Sequence, residues 1–228
     1  MKKALYGMAI LAAAIATTKP AFGSKTSGEA SLERVAAAVV QTALSFVMET
    51  NVVLDSVSVD PMSGELNVLG VHIANPKGFP EEDAVVFDRI SVLTDLSTFA
   101  SGEPVIHRIQ ASGVSVTVRH DLKRGVNLAQ LQKSAVRLQK QVRRLPVAPP
   151  SSTASLQLKK GVLDQCRVKV GSPLLLEEQE VFSLDTIEID YETITGGKAI
   201  TVDRAIAIAL EKVLESVAEE TGIKIPGI

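Results

Sequence analysis

The segment ISVLTDLSTFASGEPVIHRIQASGVSVTVRHDLKRGVNLAQL, residues 90–131, decides the fold of this chain. Its pattern predicts a strand, a short helical turn at LSTFASG, and a second strand that bends at Ser112-Gly113. A charged turn closed by Gly125 comes next, and a helix then opens at Val126-Asn127-Leu128. This order of elements indicates a structure that mixes strands with helices.

Similar patterns continue on both sides of that segment. Apolar residues at helical spacing predict helices over residues 31–49, 127–145 and 202–221, the last capped by Thr201 and stopped by Gly222. Alternating patterns predict strands through residues 52–120 and 154–191, with a slip of phase at Leu69-Gly70. Short turns between the strands indicate antiparallel pairing. The predicted fold class is therefore α+β, with a curved antiparallel sheet of about seven to nine strands and flanking N-terminal, middle and C-terminal helices.

Composition narrows the classes of function. The chain has 228 residues, of which 46% are hydrophobic and 4% aromatic, with no Trp. Such a composition favours a large aliphatic core, and the same residues are suited to line an apolar groove. The formal charge of −2 argues against binding of nucleic acid by the chain as a whole.

Residues 1–23 predict a secretory signal peptide. Met1-Lys2-Lys3 is a positive region, Ala4 to Ala16 is apolar, and Ala21-Phe22-Gly23 suits cleavage before Ser24. The apolar run is shorter than the roughly 20 residues of a spanning helix, so we expect export to the periplasm. An inner-membrane anchor at residues 4–17 is the alternative. Residues 24–148 would then hold a helix, a sheet and a second helix, and residues 149–228 would continue the sheet and add the last helix within one domain.

No catalytic motif is visible in the sequence. None of His72, His107 and His120 has another His or a Cys at the spacing of metal ligands. Cys166 alternates with Val168 and Val170, which predicts a small buried residue rather than a nucleophile. The acidic stretch of Glu177, Glu178 and Glu180 is interpreted as a solvated loop. We therefore expect no enzyme activity, no cofactor and no metal, although an enzyme whose site the sequence does not reveal is a further alternative.

Four segments, taken in order, resemble the amino-terminal module of the AsmA family of bacterial envelope proteins. They are VSVDPMSGELNVLGVHIANPKGF, DRISVLTDLSTF, VIHRIQASGVSVTVRHDLKRGVNLAQL and SLQLKKGVLDQCRVKV, and together they cover roughly Val52 to Val170. The strand end at Asn75-Pro76 is also similar to the water-stress/LEA-like β-sandwich domain, which is the second fold-level resemblance.

The AsmA resemblance implies a function in the cell envelope. AsmA-like proteins are anchored in the inner membrane and are thought to hold or move phospholipid across the periplasm in a β-sheet groove. The chain is short for that family, which implies a single module that binds or transfers phospholipid, or supports outer-membrane biogenesis, without catalysis. The implied partners are phospholipid, an inner- or outer-membrane surface, or an envelope protein complex, and an oligomer is compatible with each. The alternative is a structural or assembly subunit of an envelope complex, with a packed core and no lipid ligand.

Two sets of residues are candidates for binding. If the strands form a groove flanked by the helices at 31–49 and 127–145, alternation places its lining at Val57, Val59, Leu66, Val68, Ile90, Val92, Val114, Val116, Val118, Val168 and Val170. The middle helix carries basic residues and no acid, and a stripe along it consists of Lys133, Arg137, Lys140 and Arg144. This stripe predicts contact with anionic headgroups or an acidic partner, or else a solvated outer face.

Overall fold

The computed structural model describes residues 37, 40–42, 44–45, 47–60, 62–99, 104–142, 155–171 and 180–222. Within these ranges it gives no description of the side chains of residues 59, 96, 99, 138–142, 155, 180 and 221. The predicted signal peptide, the predicted helix start at Ser31 and the acidic residues Glu177 and Glu178 lie outside the described residues.

The described residues form an α+β structure around a strongly curled, open sheet, so the predicted fold class is confirmed. The strands are β1 Val52–Val53, β2 Ser56–Asp60, β3 Glu65–Ala74, β4 Asp83–Asp95, β5 Val105–Asp121, β6 Gly125–Val126, β7 Ser155–Asp164, β8 Cys166–Gly171, β9 Glu180–Leu184, β10 Ile187–Asp190 and β11 Ile200–Thr201. The helices are α1 Leu96–Phe99, α2 Asn127–Val142, α3 Tyr191–Thr195 and α4 Val202–Thr221. Helical residues at 37, 40–42, 44–45 and 47–48 precede β1, and we call them the N-terminal helical segment.

The sheet differs from the prediction in two pairings. The main order is β1-β3-β4-β5-β7-β10, with β2 beside β3, and with β8 between β5 and β9. The pairs are antiparallel except that β5 runs parallel to both β7 and β8. The prediction of antiparallel pairing throughout was therefore wrong at this place. The chain between β5 and β7 includes α2 and is long enough to return to the starting end of β5, which a parallel pair requires and a tight turn cannot provide.

A single row of residues crosses five neighbouring positions of the sheet. Asp55, Gly70, Asp88, Gly113 and Gln165 lie side by side, as the pairings on either side of them show, and we call this row the crease. We call the half of the sheet that contains the end of β3 the part above the crease, and the half that contains its start the part below. The buried residues of β3 are Val71 and Ile73 above the crease and Leu66 and Val68 below it. The phase of burial thus slips at Gly70, as predicted, but the pairing of β3 with β4 does not shift there.

The crease coincides with the breaks between β1 and β2 and between β7 and β8, whereas β3, β4 and β5 continue through it. Gly70 and Gly113 have φ values of 58° and 63°, a region that glycine adopts without steric cost. A Cβ at Gly113 would lie 2.0 Å from a carboxylate oxygen of Asp88, and one at Gly70 would lie 2.0 Å from Asp55. Each carboxylate therefore occupies the space that a side chain on the neighbouring strand would need.

The helices cover one face of the sheet. The apolar residues predicted along α2 are buried at Leu128, Leu131 and Ala135. Helix α2 packs mainly against α4 and also contacts β5. Helix α4 buries Leu214 and Val217 and contacts β7, β9, β10 and β11. These helices and the inward strand residues share one apolar core.

The start of α4 corrects a local prediction. Thr201 occupies the N-cap position with extended backbone angles, but its hydroxyl makes no capping hydrogen bond. Its Oγ1 is buried without a partner among the described residues. Thr201 is also the last residue of β11, where it pairs with Ser155, so the sheet sets its orientation. The predicted stop at Gly222 is confirmed, since this residue has φ 66° and its N–H donates to the carbonyl of Ala218.

A buried amide joins the middle helix to the loop between β3 and β4. Asn127 is fully buried, and its Nδ2 donates to Asn75 Oδ1 and to the carbonyl of Thr117, at 2.7 Å each. Its Oδ1 accepts from the N–H of Arg119 at 2.9 Å. Asn75 in turn donates to the carbonyl of Pro80, which places the start of α2 against residues 75–82.

The crease makes the first testable prediction. We expect Gly113→Ala to lower the free energy of unfolding by about 1–2 kcal/mol for the positive φ and by a further 1–3 kcal/mol, approximately, for the clash with Asp88. The control is Gly125→Ala, because Gly125 has φ 77° and no atom near its missing Cβ. Urea denaturation measures both. Equal losses in the two variants would contradict a steric role for Asp88, and a double variant with Asp88→Gly should lose less than the sum of the single changes.

The buried amide of Asn127 leads to the second testable prediction. We expect Asn127→Ala to cost about 3 kcal/mol, because it leaves the carbonyl of Thr117 and the N–H of Arg119 without these buried partners. Asn67→Ala is the matched control, since Asn67 is half-buried and water can replace its bonds to Glu65 and Ser91. That control should cost less than about 1 kcal/mol. Similar losses for the two asparagines in thermal melts would show that burial of Asn127 is not the decisive factor.

Candidate functional site

The predicted groove residues lie on one face of the sheet, which we call the apolar face. Above the crease, Val52, Ile73, Val85, Val116 and Val168 form one continuous row across five strands. Below the crease, a second row runs through Val57, Val68, Ile90, Ala111, Leu163 and Ile187. The slip at the crease keeps both rows on the same side, because a change of one residue otherwise turns a strand's side chains over.

Burial divides the predicted groove residues into two groups. Those packed in the core are Val57, Leu66, Val68, Val114, Val116, Val118, Val168 and Val170. Ile90 and Val92 are half-buried at the edge of that core. The side chain of Val59 is outside the described set, although its backbone pairs with Leu66. Above the crease, then, the apolar face is a closed core.

Below the crease, the centre of the apolar face is open. Ile90 and Val92 in β4, Ile106 and Ile109 in β5 and Leu163 in β7 are all half-buried, and we call them the central patch. Strands on both flanks are better covered: Val68 in β3 is 5% exposed and Ile189 in β10 is 2% exposed. Buried side chains of the central strands border the patch, since Ala111 in β5 is 3% exposed and Leu158 in β7 is 4% exposed.

The size of the central patch follows from strand geometry. Three neighbouring strands about 4.8 Å apart give a width of about 10 Å, and the rows extend for roughly 15 Å along the strands. Three members of the patch, Ile106, Ile109 and Leu163, were missing from the predicted lining. Extending the phase of β5 back through the slip at Gly113 and the irregular pairing near His107 would have found the first two.

The other face of the sheet is largely polar and bonded to itself. Ser91 donates to Asn67 at 2.6 Å, and Gln110 donates to Asp164 at 2.6 Å. Lys160 and Glu188 form an ion pair at 2.8 Å on the same face. Leu93, 43% exposed, is an apolar exception. An apolar ligand that binds the sheet would therefore bind at the central patch rather than on the polar face.

The basic stripe of α2 is partly compensated by an acid from elsewhere in the chain. Arg137 forms an ion pair with Glu49, and Ser134 donates to the same carboxylate at 3.0 Å. Lys133 is exposed. The side chain of Lys140 is not among those described, and Arg144 lies outside the described residues. Sequence inspection of the helix alone misses Glu49, because it comes from the end of the N-terminal helical segment.

Titratable groups of the described residues do not form a metal site, since no group of three His, Cys, Asp or Glu side chains comes together among them. His72 points outward and pairs with Asp83 at 2.8 Å. The prediction for Cys166 is confirmed, because its side chain is 1% exposed. Burial raises the pKa of its thiol to about 11, which keeps the thiol protonated at neutral pH.

Thiol labelling tests this environment. We expect Ellman's reagent at about pH 8 to leave the folded protein unlabelled and to react with one thiol after denaturation, since only the exposed thiolate is nucleophilic. Because the folded-state pKa lies above the ordinary 9.0, the neutral thiol favours the folded state. This stabilisation is lost as the pH rises from 9.0 towards about 11. Rapid labelling of the folded protein would contradict the burial of Cys166.

Comparison with known proteins leaves the family of the chain open. No protein-family model matches it, and the search of curated proteins finds no match. In the described part of the chain, no helix combines the length and the apolar character needed to cross a bilayer. The AsmA resemblance therefore remains a prediction from the residues that suggested it.

Proposed function

We propose that the protein is a non-enzymatic, AsmA-like periplasmic module that binds or transfers phospholipid, or supports outer-membrane biogenesis. The observation that carries this proposal is the central patch. Five aliphatic side chains are half-buried in the middle of a curled sheet, between buried side chains of β3 and β10. The predicted signal at residues 1–23 supports a location in the periplasm.

Acyl chains suit this surface by their chemistry. The patch is lined by Ile, Val and Leu, without a charged group among its members, so binding would be driven by burial of methylenes. Each buried methylene supplies about 0.8 kcal/mol, so a contact of about ten supplies roughly 8 kcal/mol before the cost of ordering the chain. The headgroup would remain outside the central patch, in contact with water.

The second candidate is a structural or assembly subunit of an envelope complex. Two observations favour it: the closed core above the crease and the edge at β9, which pairs with β8 alone among the described strands. Val181 in β9 is 60% exposed, and an unpaired strand edge can accept a strand from a partner or a second copy. In this reading the central patch would be an incompletely covered core.

Native mass spectrometry separates the two candidates. We expect protein purified from the periplasm without detergent to carry phospholipid. Val92→Gln should weaken binding of a fluorescent fatty acid about tenfold, because it places an amide in the patch. Leu93→Gln is the matched control, since this neighbouring apolar residue lies on the polar face and should leave binding unchanged.

The contrary outcomes are distinct. A lipid-free folded monomer that also ignores the fatty acid would favour the packed scaffold. A lipid-free closed oligomer would show that the partner of the protein is a second copy. Equal weakening by Val92→Gln and Leu93→Gln would place the lipid somewhere other than the central patch.

A further inference from the structure

An exposed leucine stands at the tip of a rigid, basic turn. Leu122 joins β5 to β6 and is 74% exposed, in the turn Leu122-Lys123-Arg124. Asp121 holds this turn, because its Oδ1 accepts from the N–H groups of Lys123 at 2.9 Å and Arg124 at 2.8 Å. These bonds lower the pKa of Asp121, so its carboxylate stays charged and in place near neutral pH. The turn is a built feature rather than a loose loop.

Two contacts support the turn, one from α2 and one from the loop between β3 and β4. Gln130 in α2 donates to the carbonyl of Arg124 at 2.9 Å. The side chain of Arg124 crosses Gly78, where a Cβ would lie 2.5 Å from its Nε. This contact brings Lys77, which is exposed, to the same end of the sheet. We call Lys77 together with Leu122-Lys123-Arg124 the basic tip.

The charge at the basic tip is opposite in sign to that of the whole chain. Residues 76–82 and 119–125 contain four basic and three acidic side chains, against a formal charge of −2 for the chain. Arg119 pairs with Glu82, and the exposed Arg124 pairs at 3.6 Å with Asp121, which also accepts from the turn backbone. Lys77 and Lys123 form no ion pair with any carboxylate of the described residues, which leaves their charge available to an outside anion.

The opposite end of the sheet carries a similar turn with the opposite charge. Met62, 90% exposed, lies in the turn from β2 to β3, and Asp60 holds this turn by accepting from the N–H of Met62 at 2.9 Å. Its nearest charged neighbours in the chain are the acids Asp60 and Glu65. The Leu122 turn is thus flanked by bases, whereas the Met62 turn is flanked by acids.

We propose that the basic tip docks on an anionic lipid surface, with Leu122 inserted between headgroups and Lys77, Lys123 and Arg124 on the phosphates. An apolar side chain ringed by cations matches the membrane interface, where acyl chains lie just below negative charge. The tip lies at the end of β5 remote from the central patch, so docking leaves the patch accessible. This inference rests on a different surface from the lipid-binding proposal and stands independently of it.

Cosedimentation with vesicles tests the docking. We expect the protein to sediment with vesicles of phosphatidylglycerol and phosphatidylcholine, and not with phosphatidylcholine alone. Leu122→Gln should weaken binding about tenfold, and Lys123→Gln about fivefold, because each surface cation contributes to attraction by anionic lipid. Added salt should weaken the binding of the parent protein.

Met62→Gln is the matched control, because it removes a still more exposed apolar side chain from an acidic turn of the same design. It should leave vesicle binding unchanged. Thermal melts of all three variants should match the parent, as expected for exposed turn positions. Failure of the parent protein to bind anionic vesicles, or equal loss in Leu122→Gln and Met62→Gln, would overturn the docking. Leu122→Gln should bind the fluorescent fatty acid as the parent does, so that failure of the lipid site and failure of the tip are told apart.

Discussion

The crease is the constraint on which the rest of the sheet depends. A one-residue slip in a strand turns its later side chains to the other face, so a slip in one strand alone would place valines in water and polar residues in the core. Here the slip occurs at the same row in neighbouring strands, through Gly70, Asp88, Gly113 and Gln165. The apolar face therefore stays continuous while the sheet changes direction. Two glycines with positive φ and the carboxylates packed over them make this possible.

The crease also separates two regions with different coverage. Above it, Val116 and Val168 have no exposed surface and belong to a closed core. Below it, Ile109 and its neighbours remain half-open between buried flanks. The helices α2 and α4 pack largely on each other, which limits the area of sheet that they can cover. The same sheet thus holds both a folding core and half-buried apolar side chains suited to an apolar ligand.

Polar contacts fix the ends of the molecule. Asn127 ties the start of α2 to Asn75, and Arg124 lies over Gly78, so the turn after β5 and the loop after β3 form one unit. A buried polar group such as that of Asn127 is costly to leave unpaired, so these contacts favour one arrangement of this end. The exposed Leu122 lies at its tip. The opposite turn at Met62 is also held by an aspartate but is flanked by acids, so the two turns differ in charge.

The sequence by itself determined the α+β class, the helix stop at Gly222, the alternation of the strands, the slip at Gly70 and the bend at Gly113. These follow from local rules, since the direction of a side chain depends on its own backbone and its near neighbours. Only the tertiary structure decided that β5 pairs in parallel with β7 and β8, that Glu49 meets Arg137, and that the patch opens at Ile106, Ile109 and Leu163. Glu49 and Arg137 are 88 residues apart in the chain. Which long-range partners meet, and which apolar residues a helix leaves uncovered, depends on the packing of whole elements, and no local pattern records it.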